Sequence, residues 1–332
     1  MSLKHALNNW QNQTPGEVEL FDAMIDYFKN QAFATVVDTD RTHHHLVDYT
    51  PLPPYNTLWG NNVTKEISDV FFLVFSRKRR MARMTHLQAK LTSKIWPVHD
   101  NKHTFSFTLD VGQYHMLHNR LQINDLKGMY PRDILSFPLY SDSVSSYGVF
   151  YRDNNSVYDM AFEIASLVSY PKSKPYKSAD SQLAHSFATA NDVWGYMNIK
   201  HPQAMPILRH ILHCCDICWE CCCEHMPELL STVSVETFER ELLELRVGTR
   251  VDFDIMTLQQ VAQLFRGNKA FSDFINEMAR RLERRMLMEV IENFRRDQNG
   301  NEPPRENLQD INPVEMGGAY ILINADEVER EQ

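Results

Sequence analysis

The stretch DVFFLVFSRKRRMARMTHLQAKL, residues 69–91, constrains the fold of this 332-residue chain more than any other. Val70 to Phe75 is apolar without a break, so both faces of such a strand must be covered, as in the middle of a sheet packed on both sides. Ser76 to Arg80 is polar and basic, and Met81 to Leu91 resumes strand character. There Thr85, Leu87, Ala89 and Leu91 share one face, while His86, Gln88 and Lys90 share the other. The pattern predicts a hairpin with a deeply buried first strand. Asp69 stands at its entrance, and an amide and an amine sit two residues apart on its return.

Around the hairpin the chain reads as mixed helix and sheet. TPGEVELFDAMIDYFKN, residues 14–30, predicts a helix from Pro15 to about Asn30, with Thr14 as cap, Glu17 as capping-box acid and an apolar stripe of Val18, Phe21, Ile25 and Phe28. FATVVDT suggests a strand, YTPLPPYNTLWGNN a proline-rich loop, and KHTFSFTLDVGQYHMLHNRLQI a strand running into a short helix. YGVFYRDNNSVYDMAFEI predicts two strands about an Asp-Asn-Asn turn. PKSKPYKSADS, residues 171–181, reads as a linker or exposed loop, after which VETFERELLELRV, TLQQVAQLFRG and the long run beginning FSDFINEMARR show helical periodicity. The expected organisation is an α/β domain over residues 1–168, a mainly helical region over 182–298, and a polar linker over 299–332 whose GGAYILINADE offers a short strand to a sheet or a partner.

A divalent cation accounts for the polar groups of the hairpin. A carboxylate entering a buried strand is costly unless paired, and Asp69 becomes reasonable as a ligand of Mg²⁺ or Mn²⁺, with the Gln88 amide oxygen or the Ala89 carbonyl completing the site. Lys90, on the face of Gln88, can then assist an attacking water or the charge growing on phosphate. A solvent-facing edge strand explains the same alternation without chemistry.

Asp69 followed about twenty residues later by Gln88-x-Lys90 resembles the PD-(D/E)XK nuclease superfamily in its variant with glutamine in the third motif, over roughly residues 14–165. The resemblance implies a restriction-endonuclease-like mixed central sheet flanked by helices, and metal-dependent cleavage of DNA. It also implies kinship with nucleases of bacterial anti-phage and restriction systems, and a glutamate on the helix before the sheet. Glu19 is the better candidate for that glutamate, because Glu17 has the capping role. The chain departs from the pattern in having Ser68 where a proline is common and Gln88 where a glutamate is usual, which leaves Asp69 and one helix glutamate as the anionic ligands. An inactive nuclease-fold scaffold or nucleic-acid-binding subunit is therefore the alternative.

Arg77, Lys78, Arg79, Arg80 and Arg83 form a basic cluster expected to grip a phosphate backbone next to the cleavage site, beside the expected metal site, with Lys102 and Lys172 to Lys177 as possible extensions and a solvated turn as the competing view. Gln113 and Tyr114 suit either substrate orientation or helix packing, with packing preferred, and His43 to His45 read as an exposed loop. All six cysteines fall between Cys214 and Cys223. Crowding in one helical stretch rules out a disulfide framework and suits a reducing compartment. With His210 and His225 they raise zinc binding or a metal- or redox-sensing regulator, yet one helix cannot surround a tetrahedral ion, and burial or a subunit contact is preferred. A net charge of −9 argues against coating nucleic acid by overall charge, though not against a local basic site. No apolar run is long enough to span a membrane and the N-terminus has no apolar secretion signal, so the expected setting is cytoplasmic. The expected partners are DNA and either a second copy or a sensor protein.

Overall fold

The structure, a computed structural model, describes residues 1–10, 14–38, 45–92, 102–125, 130, 132–136, 143–153, 155–168, 181–189, 229, 231–251, 255–265, 267–294 and 319–331; within 102–106, 181–189, 255–257, 283–294 and 329–331 it describes the backbone alone. The hairpin forms as its pattern predicts. β4 (Val70–Ser76) and β5 (Met81–Leu91) pair antiparallel, with Val70 opposite Leu87 and Ser76 opposite Met81. Every β4 residue is buried. Val70, Phe72 and Val74 pack into one apolar layer, and Phe71, Leu73 and Phe75 into the other.

These strands lie inside an eight-stranded mixed sheet. Its order is β1 (Ala34–Asp38), β13 (Ala319–Asn324), β4, β5, β8 (Ser145–Arg152), β9 (Tyr158–Ile164) and β11 (Ser231–Thr232), with β12 (Thr249–Arg250) also paired to β5. β13 runs parallel to β4 and antiparallel to β1, and β8 runs parallel to β5. The strand offered by GGAYILINADE is thus an interior strand of the chain's own sheet, apolar on both faces for the same reason as β4.

One face of the sheet packs against α1 (Leu3–Leu7), α2 (Glu17–Lys29) and α5 (Val235–Leu243) through Leu20, Met24, Ile25, Phe28, Phe238 and Leu242. The other packs against α4 (Val111–Asn119), α6 (Ile255–Ala262), α7 (Lys269–Phe294) and a three-stranded sheet of β3 (Val63–Glu66), β2 (Leu46–Tyr49) and β7 (Ile123–Asp125). The chain is therefore mixed α/β, with a central sheet between helical layers. β6 (Lys102–Asp110) pairs with β10 (Ser181–Thr189) and leads directly into α4.

Several local expectations shift. The helix predicted from Pro15 begins at Glu17 with Gly16 as its N-cap, and Glu19 Oε2 accepts from Gly16 N–H at 3.0 Å. Glycine has no side chain to complete the reciprocal half of the box. The proline-rich loop contains a short helix, α3 (Tyr55–Trp59). Residues 182–298 include α5 to α7 as expected but also supply β10, β11 and β12, the last two short enough to leave little alternation in the sequence. Among the described residues no helix is long and apolar enough to cross a membrane.

Candidate active site

β5 outruns β4, and the candidate site lies where it does so. Alternate backbone N–H groups of β5 face β4, and the pairing closes with Asp69 N–H donating to Leu87 O at 3.2 Å. The next two such donors, on Ala89 and Leu91, have no strand beside them, and a buried amide left unpaired is costly. Two carboxylates take their place. Asp69 Oδ2 accepts from Ala89 N–H at 2.6 Å, and Glu17 Oε2 from Leu91 N–H at 2.8 Å. Glu17 Oε1 lies 3.5 Å from Lys90 Nζ. Residues 17, 69, 88, 89 and 90 thus meet at one end of the hairpin.

The orientation of Gln88 follows from its neighbours. The Glu66 carbonyl can only accept, and Gln113 Nε2 donates to it at 3.0 Å. The same amide nitrogen donates to Gln88 Oε1 at 2.5 Å, which turns the Gln88 NH₂ toward Asp69 Oδ2, where it donates. Gln88 and Gln113 are both buried, so this line of amides is shielded from water. Among the described residues the second Asp69 oxygen accepts no hydrogen bond.

Burial pushes the Asp69 carboxyl up to about 7; the Lys90 ammonium and the Ala89 N–H oppose that rise, while the charges of Glu66 and Glu17 add to it. On the next strand Tyr147, paired with Gln88, is fully buried with no partner for its hydroxyl among the described residues. Burial raises its ionisation far out of range, with Tyr114, Asp110 and Asp69 contributing.

The structure corrects the expected glutamate. Glu19 caps α2, and Glu17, the first residue of that helix, is the one whose carboxylate reaches Lys90 and Leu91 N–H. Ala89 enters through its N–H rather than its carbonyl, and the Gln88 oxygen is held by Gln113 rather than turned to Asp69. Gln113 belongs to the site, whereas Tyr114 packs: its hydroxyl donates to Val168 O at 2.8 Å.

The basic cluster is not beside the site. In an antiparallel hairpin the turn is the far end, and seven strand residues separate Asp69 from Arg77, roughly 20–25 Å. Asp326 holds that turn, accepting from Ser76 Oγ at 2.5 Å and from the N–H groups of Arg77 at 2.8 Å and Lys78 at 3.2 Å. Arg77 lies 3.5 Å from Asp273, Arg80 lies 4.0 Å from Glu277, and Arg79 donates to Glu244 O at 3.0 Å. Arg83 is no surface contact at all. It is buried, with Nη1 donating to Gly248 O at 2.6 Å. Gly248 has φ +88° and leaves no space for a Cβ against Met84 O, so the two backbones approach closely there.

His45 is not in an exposed loop but buried, 3.1 Å from Asp125 and 2.8 Å from the Tyr320 hydroxyl. His43, His44, Lys172 to Lys177 and the whole run from His210 to His225 lie outside the described residues, as does the Lys102 side chain. The sequence reading missed Lys65, Glu66, Asp110 and Tyr147. For Asp110 a signal existed: Asp110-Val-Gly-Gln113 is a capping-box pattern, and Asp110 Oδ1 accepts from Gln113 N–H at 2.8 Å.

Among the described residues no three His, Cys, Asp or Glu side chains gather as a ready-made metal site. The donors do fit a hard divalent cation of the Mg²⁺ kind, which takes one or two carboxylates and fills its remaining positions with water and phosphate oxygens. Asp69 offers an open oxygen and a carboxyl whose charge is poorly compensated.

Comparison with known proteins gives no match: no family model fits the chain, and neither a curated protein nor a solved structure is significantly similar.

Proposed function

We propose that the chain is a metal-dependent nuclease that hydrolyses DNA phosphodiester bonds, built on a restriction-endonuclease-like fold and acting in bacterial anti-phage defence. One observation carries this reading. A helix glutamate 73 positions before Lys90 reaches it, beside an aspartate and a glutamine on paired strands. That is the constellation the PD-(D/E)XK resemblance implies. A structural role alone explains the capping of Ala89 and Leu91, but it does not account for the open Asp69 oxygen or for a half-buried lysine aimed at the same place.

Asp69 would hold the cation, with Glu17 as a second carboxylate; such a cation, when bound, would supply a lowered pKa for water and neutralisation of phosphate charge. Lys90, released from Glu17 as substrate enters, stabilises the negative charge that grows on the phosphoryl oxygens or orients the attacking water. Gln88 and Gln113 fix the geometry between them. A second reading, a non-catalytic nuclease-fold scaffold, draws on the Gln88 oxygen being held by Gln113 and on the lack of a third clustered carboxylate among the described residues.

Incubation of the protein with supercoiled plasmid in Mg²⁺, Mn²⁺ or EDTA separates the two. Divalent-dependent cutting that disappears in a folded Lys90→Ala variant supports the nuclease. Absence of cutting in either metal removes it and leaves the scaffold.

A further inference from the structure

Tyr147 stands beside Gln88 in the parallel pairing of β5 and β8, so the two side chains share a face of the sheet. No solvent reaches Tyr147, and among the described residues nothing bonds its hydroxyl. A phenylalanine would fill the same space without the cost of a buried, unpaired polar atom. Burial above all keeps the phenol neutral, so its oxygen can accept as well as donate. The Gln88 amide gives that hydroxyl a use. Its oxygen is held by Gln113 Nε2 at 2.5 Å and its NH₂ donates to Asp69 Oδ2, so a donor faces the place where a cation would sit. For the oxygen to face that place the amide must turn over, and its NH₂ then needs another acceptor. Gln113 cannot supply one by turning too, because its Nε2 is committed to Glu66 O at 3.0 Å. The groups that lose Gln88 each keep a partner: Gln113 Nε2 keeps Glu66 O, and Asp69 Oδ2 keeps Ala89 N–H at 2.6 Å.

We infer that Tyr147 is a positioning residue whose hydroxyl takes the Gln88 NH₂ when the amide turns its oxygen toward a divalent cation at Asp69, which rests on the nuclease reading and deepens it. A hydroxyl unpaired in one arrangement is paired in the other, and that difference favours the turned amide once a cation is present. The competing explanation is that Tyr147 only fills the core beside Phe107, 5.8 Å away between ring centres, and that its hydroxyl has no use.

Mn²⁺ binding to the full chain without DNA, followed by electron paramagnetic resonance of the free ion and taken as the part absent from Asp69→Ala, separates the two. Tyr147→Phe should weaken that binding about three- to tenfold, the worth of one hydrogen bond. The same variant should raise the melting temperature of the metal-free chain, because it removes an unpaired polar atom. In a Gln88→Met background, which has no amide to hold, Tyr147→Phe should change Mn²⁺ affinity no further. Tyr147→Phe with wild-type Mn²⁺ affinity overturns the inference, as does an equal loss in both backgrounds. A metal-free Tyr147→Phe chain that melts below wild type also overturns it, since the hydroxyl would then be bonded before any cation arrives. Wild type that binds Mn²⁺ and cuts plasmid while residue 147 has no effect removes this inference alone. Wild type that neither binds Mn²⁺ nor cuts removes the nuclease reading with it.

Discussion

The two ends of one hairpin are built in opposite ways. At the β5 end, Asp69, Gln88 and Lys90 are drawn inward and joined to Glu17 and Gln113 from two helices. At the turn, four cations stand in a row, but Arg77 and Arg80 are about half exposed and meet acidic partners only at 3.5–4.0 Å. Exposed pairs at such distances contribute little. The contrast shows that polar groups are desolvated and aligned at the β5 end, whereas the run of cations at the turn stays partly exposed.

The largest effect expected from breaking this comparison is catalytic. Lys90→Ala or Asp69→Ala should lower metal-dependent cleavage by about 10²–10⁴-fold while circular dichroism stays that of wild type. The next concerns stability at the turn. Asp326→Ala leaves Ser76 Oγ and two backbone N–H groups without their acceptor, and should lower the unfolding free energy by about 1–3 kcal/mol in denaturant titrations, with the cleavage chemistry retained.

A third prediction uses pH. The Asp69 carboxyl rises from 3.8 to about 7 on folding, so between those values the native chain keeps a proton that the unfolded chain has lost, and stability falls as pH rises through that window. His86 acts in the opposite sense. Its imidazole is buried and pushed down from 6.5 to about 3, so stability is lost as pH falls through that range. The two slopes oppose each other in wild type. Asp69→Asn should abolish the first, gaining about 1–3 kcal/mol over wild type above pH 7 and leaving the His86 slope exposed below it. Melting temperature against pH checks this; equal profiles for the two proteins contradict it. The smallest effect is at the turn's surface, where Arg77→Gln with Arg80→Gln should shift stability by no more than about 0.5 kcal/mol.

Much of this was legible in the sequence because period-two patterning fixes both the faces and the pairing of a hairpin. Val70 to Phe75 announced an interior strand, and Gln88 and Lys90 fell on the face assigned to them. What failed was distance. Sequence proximity placed the basic run beside Asp69, although an antiparallel return puts the turn at the opposite end. Glu17 and Glu19 exchanged roles because the helix starts two residues later than Pro15 suggests, with a glycine that can cap only through its backbone. The insertion of Ala319–Asn324 between β1 and β4 had no local signal, since a strand's partners across nearly the whole chain are chosen by packing.

The measurement that tests the central claim most directly is the single-turnover cleavage rate of labelled duplex DNA in Mn²⁺ and Mg²⁺, comparing wild type, Asp69→Ala and the double variant Arg77→Gln with Arg80→Gln. The account predicts loss in the first variant and retention within a few-fold in the second. Cleavage that survives Asp69→Ala but is lost with the turn arginines would place the chemistry at the wrong end of the hairpin and contradict it.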